Sequence, residues 1–135
     1  MMSSRRGFTR VIALATVALL VAGCGDGPTA APFQPEVTNA RDSFQAQATG
    51  VTNVTGTVSY TWANTGTRAT INHSTTTTGG TAVLTIRDAA NAVVYTRALS
   101  PSLNEPTVVG VAGNWTIQLT TENYAGTMNF RVQKL

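Results

Sequence analysis

Residues able to do chemistry are few in this chain, and they stand apart. It contains one cysteine, Cys24, and one histidine, His73. A single cysteine has no partner for an intrachain disulfide. Acid–base and nucleophilic catalysis need a positioned base with a nucleophile in reach. His73 is followed by Ser74, but neighbours along a strand point to opposite faces, so adjacency separates the pair. The carboxylates Asp42, Asp88, Glu105 and Glu122 are isolated, and in turns such residues are explained by backbone hydrogen bonding or exposure. No calcium-loop pattern occurs. These observations predict no catalytic residue, no metal and no cofactor. The remaining enzymatic reading is a small hydrolase that gathers distant groups around His73.

Aromatic side chains offer a route to binding, because several on one sheet face form a stacking platform for a sugar or peptide. Tyr60 and Trp62 share strand parity with Val58, and Trp115 shares it with Ile117 and Leu119, so the expectation for both tryptophans is the core. Tyr124 falls in an expected hairpin turn and is the candidate exposed aromatic for ligand binding. Three N-x-S/T triplets, at Asn53, Asn72 and Asn114, are expected by chance in a Thr-rich chain.

The most specific pattern is N-terminal. Arg5, Arg6 and Arg10 precede an apolar run from Val11 to Val21, too short for a convincing membrane span and shaped like an export signal. The run closes on Val21, Ala22, Gly23 and Cys24. Here the sequence resembles the lipobox of bacterial lipoproteins, with Val where the family prefers Leu. The resemblance implies cleavage before Cys24, diacylation of its sulfur, acylation of the new N-terminus, and anchoring in membrane lipid. Gly25 in place of Asp implies sorting to the outer membrane. More than one acyl chain makes such anchoring durable. The leader also explains the charge: nine basic against six acidic residues give +3, and without Arg5, Arg6 and Arg10 the remainder is six against six. Nothing there suggests a nucleic-acid partner.

The expected organisation is a signal peptide over 1–23, a lipidated cysteine and proline-containing tether over 24–37, and a β domain over 38–135. Pro28, Pro32 and Pro35 favour a semi-extended tether. Beyond it, period-two alternation predicts strands over Ser43–Thr49, Thr55–Ala63, Arg68–Asn72, Thr81–Arg87 and Val93–Leu99, with Leu84 and Ile86 in the core. Ser74–Gly80 reads as a loop or a Thr-rich edge strand, Ser100–Pro106 as a connection, and Thr107–Val111 as a short strand. Gly113–Val132 carries two apolar trios, Trp115, Ile117, Leu119 and Met128, Phe130, Val132, on either side of Glu122–Gly126. It reads as a terminal hairpin of two antiparallel strands, and this stretch is similar to bacterial envelope sandwich modules.

Seven or eight short strands in about one hundred residues predict an all-β, antiparallel two-sheet β-sandwich, immunoglobulin-like or jelly-roll-like, with a small β-barrel as the alternative. The functional expectation is an envelope-anchored structural or protein-interaction module. Its partners would be an envelope protein or glycan, the alternative being carbohydrate or polymer binding through exposed aromatics. Polar strand faces and an unprotected edge able to accept a partner strand supply the physical route.

Overall fold

Alternating Thr, Ser and Gln with Val, Ile, Phe and Trp gives strands of one apolar and one polar face. The computed structural model describes residues 33–135. The expected signal peptide, Val21, Ala22, Gly23, Cys24 and most of the tether lie outside them. Seven strands and no helix occur among the described residues: β1 (Glu36–Ala40), β2 (Ser43–Asn64), β3 (Ala69–His73), β4 (Thr76–Arg87), β5 (Val93–Ala98), β6 (Leu103–Pro106) and β7 (Gly113–Lys134). β1 starts two residues inside the expected tether.

All pairings are antiparallel, and the sheet is not closed into a barrel. β2 and β7, 22 residues each, pair along nearly their whole length. The N-terminal half of β2 and the C-terminal half of β7 belong to the order β1-β2-β7-β3-β6. The other halves of the same two strands join β4 and β5. The halves face each other in a β-sandwich-like fold. Phe44 and Tyr60, sixteen residues apart on one strand, have ring centroids 5.3 Å apart, and the Asp42 N–H donates to the Ala63 carbonyl at 2.9 Å.

Two expectations are corrected here. The stretch Gly113–Val132 is part of one strand, and Ser43–Thr49 and Thr55–Ala63 are likewise one strand, so the elements are fewer and two are long. What looked like turns are β-bulges. Against β2, β7 holds one extra residue between Thr121 and Tyr124; β2 holds one between Val51 and Val54 and another between Ala48 and Val51. Each extra residue exchanges the two faces. This explains why burial in β7 moves from odd positions through Thr121 to even positions from Tyr124 onward. Asn123, Asn53 and Gly50 occupy these sites with φ of 45°, 49° and 61°, a left-handed region that Asn and Gly tolerate best. Residues 107–112 form a loop rather than a strand, and the expected connection contains β6, whose Pro106 sits on an edge strand where a missing N–H is tolerated. Thr76–Gly80 continues β4 as strand.

Trp62 and Trp115 are directly opposite on β2 and β7, fully buried, and edge-to-face at 5.9 Å. Both indole N–H groups are satisfied, by the Ala40 carbonyl at 3.0 Å and the Val111 carbonyl at 2.7 Å. Leu84 and Ile86 are fully buried beside Leu119 and Ile117, as the alternation predicted. Trp115→Ala should cost about 3 to 5 kcal/mol in chemical denaturation; an unchanged midpoint would remove the ring from the core. Gly126, at φ 142°, lies so close to Thr76 that an added Cβ would collide with its carbonyl, while Gly56 faces open space. Gly126→Ala should therefore lower the thermal midpoint clearly and Gly56→Ala hardly at all.

Candidate functional site

The two flanks of the sandwich differ. On one, β5 and β6 are latched. The Thr107 N–H donates to the Ala69 carbonyl at 2.8 Å and the Val108 N–H to the Val94 carbonyl at 3.1 Å. Arg97 Nε lies 3.1 Å from Glu105 Oε1, close enough for an ion pair though not aligned as a hydrogen bond. Asp88 strengthens this end. One carboxylate oxygen accepts from Ala90 and Ala92, the other from Val111 at 2.8 Å. These backbone donors, Val111 first, hold its carboxyl below the usual carboxylate range.

His73 belongs to the same latch. It is 2% exposed, with Nδ1 3.1 Å from the Leu99 carbonyl and Nε2 3.5 Å from the Tyr95 hydroxyl. Burial lowers its pKa, opposed by the Leu99 carbonyl and the Glu105 charge, and burial also pushes the Tyr95 hydroxyl up. The imidazole is buried between β3 and β5, and Ser74, just past the end of β3, is exposed. Among the described residues, no three His, Cys, Asp or Glu side chains gather as metal ligands.

The other flank is open. β1 pairs with β2 only through Gln47, so the rest of β2 is an edge. The Thr61 carbonyl accepts from Asn39 Nδ2 and the Ala63 carbonyl from the Asp42 N–H, both at 2.9 Å. Odd-numbered residues here thus turn their main-chain groups away from β7. Thr57 and Ser59 present theirs outward, and among the described residues no backbone group pairs with them. From Ala48 to Asn64 the edge has no charged residue and no proline. Natural edges are ordinarily blunted by such residues. The apolar side chains packed on the core but only half-buried, namely Phe33, Val37, Ala48, Val54, Val58 and Tyr60, all belong to β1, β2 or the residues leading into them. Phe33, Ala48, Val51 and Val54 also line a groove of about 480 Å³. The core therefore meets solvent along this flank.

Tyr124 requires a correction. It is fully buried within β7, because the bulge at Asn123 turns the next residue inward, and no part of its ring is offered to a ligand. Burial pushes its pKa up, and its hydroxyl has no well-aligned hydrogen-bond partner among the described residues. Both tryptophans are buried as expected, so no aromatic platform forms from Trp62, Trp115 and Tyr124. Sequence reasoning anticipated an exposed edge without locating it. The signal that marks it, the uncharged run from Ala48 to Asn64, is visible in the sequence, but which strand lies at an edge is not.

No known protein-family model matches the chain, and no curated protein matches it.

Tyr124→Phe should leave stability unchanged or raise it, because it removes a buried hydroxyl without a well-aligned partner among the described residues; Tyr124→Ala should cost about 3 to 5 kcal/mol. A clear loss in the Phe variant would reveal a bond to that hydroxyl. His73 supplies a pH test. Its folded pKa lies below its ordinary value of 6.5, so the unfolded chain takes up the proton first and stability falls as pH drops below that value. With one histidine in the chain, the thermal midpoint should decline from neutral pH toward mild acid, and less so in His73→Gln. Identical profiles for the two proteins would contradict the buried imidazole.

Proposed function

We propose that this chain is an envelope-anchored lipoprotein whose β domain is a protein-interaction module, receiving an extended segment of a partner along β2. One observation carries the reading: among the described residues the β2 edge beyond Gln47, from Ala48 to Asn64, is open and uncharged while the opposite flank is latched. An added strand would satisfy the outward main-chain groups of Thr57 and Ser59 and lay alternate apolar side chains over Val58 and Tyr60, the usual economy of strand addition. The lipobox resemblance at Val21–Cys24 supports tethering by acylated Cys24, the sole thiol in the sequence. Tethering holds the module at one surface and raises its effective concentration toward other envelope components.

A photo-crosslinking side chain at Thr57 in the intact envelope should give a discrete protein adduct, while one at Gln118, in the middle of the sheet, should not. Ser59→Pro should abolish the adduct, since proline removes an outward N–H without touching the β7 ladder. Absence of an adduct at Thr57, or one indifferent to Ser59→Pro, would exclude the edge. Cys24→Ser should release the protein from the membrane fraction; equal retention of both forms would assign anchoring to another contact.

A further inference from the structure

The outer face of the β2-β7-β3-β6 half carries a second surface of different chemistry. Outward-facing residues form rows across the strands: Asn104, Asn72, Arg131 and Gln45 in one, Thr70, Gln133 and Ser43 in the next. Thr70, Asn72, Asn104, Asn129, Arg131 and Gln133 line a depression of about 270 Å³. No apolar side chain lines it. Their side chains do not satisfy one another. The one hydrogen bond in the set runs from Arg131 Nη2 to Gln45 Oε1 at 3.4 Å, and among the described residues Arg131 has no carboxylate partner.

We propose that this depression binds an acidic glycan, with a sugar carboxylate on the Arg131 guanidinium and ring hydroxyls on the amides of Asn72, Asn104, Asn129 and Gln133. The assignment follows from donor geometry. A guanidinium offers a planar fork matched to a carboxylate. Each amide supplies a donor and an acceptor, and hydroxyls need both. Strand spacing sets these groups about 5 Å apart across the sheet and about 7 Å along it, an array suited to the closely spaced oxygens of a linked-sugar chain. A protein partner is disfavoured because interface cores bury apolar and aromatic side chains, and the depression is lined by none, Pro106 at the β6 end of the second row being the one exposed apolar residue on these rows. The site is separate from the β2 edge and does not depend on the protein-interaction reading.

Titration of the full-length chain in detergent with a hexauronate, a neutral hexaglucose and inorganic phosphate tests the assignment. The hexauronate should bind, the neutral sugar about tenfold more weakly or worse, and phosphate should compete poorly because it leaves the amides unused. Arg131→Gln should erase the preference for the acidic sugar, and Asn72→Ala should weaken hexauronate binding, both with an unchanged thermal midpoint since both residues are exposed. The proposal is overturned by no hexauronate binding, by equal affinity for the neutral sugar, by phosphate competing as well as hexauronate, or by a preference for hexauronate over the neutral sugar that survives Arg131→Gln.

Discussion

The pairing of β2 with β7 is the interaction on which the rest of this structure depends. It joins the early part of the described chain to its end, through seventeen registered pairs from Ser43↔Gln133 to Asn64↔Gly113. Every other element docks on one of these two strands or on a strand that does: β1 on β2, β3 and β4 on β7, then β5 and β6 outermost. Such a pairing closes a long loop before local contacts can repay the entropy. Its stability must therefore come from the buried seam, where Trp62 meets Trp115 and Phe44 meets Phe130.

Bulges make that pairing into a sandwich. An unbroken pair of 22-residue strands would be a ribbon with one apolar face, and it could not cover itself. The extra residues near Gly50, Asn53 and Asn123 bend both strands at the same level, so that the first half of the sheet faces the second. Gly126 and Gly80 serve the same bend from closer range. At each, a Cβ would strike a neighbouring backbone carbonyl.

Folding a sheet over itself leaves two flanks, and polar chemistry is distributed unequally between them. His73, Tyr95, Glu105, Arg97 and Asp88 gather near β5, β6 and the loop beyond, where they fasten one flank. The β1/β2 flank has backbone groups that find no partner among the described residues, and half-buried apolar side chains. Surface ion pairs contribute little on their own, so the difference lies chiefly in main-chain hydrogen bonds and apolar cover. The outer face around Arg131 is a third environment, a shallow depression lined by polar side chains. One small domain thus presents a latched flank, an open strand edge and a polar face side by side.

Much of this was legible in the sequence. Period-two alternation identified strand over 43–49, 55–63, 68–72 and 81–87, placed Trp62, Trp115, Leu84 and Ile86 inside, and established the all-β class, because alternate burial is a local property of an extended chain. The turn at Asp88 was legible for the same reason. Sequence could not distinguish a bulge from a hairpin turn at Glu122–Gly126: both break the alternation, both favour Asn and Gly, and only the identity of the strand alongside separates them. That long-range pairing also decided the burial of Tyr124, the exposure of the β2 edge, and the convergence of Asn72, Asn104 and Arg131 from three strands. Alternation along a strand is fixed by backbone geometry, whereas neighbours across a sheet are fixed by which strands find each other.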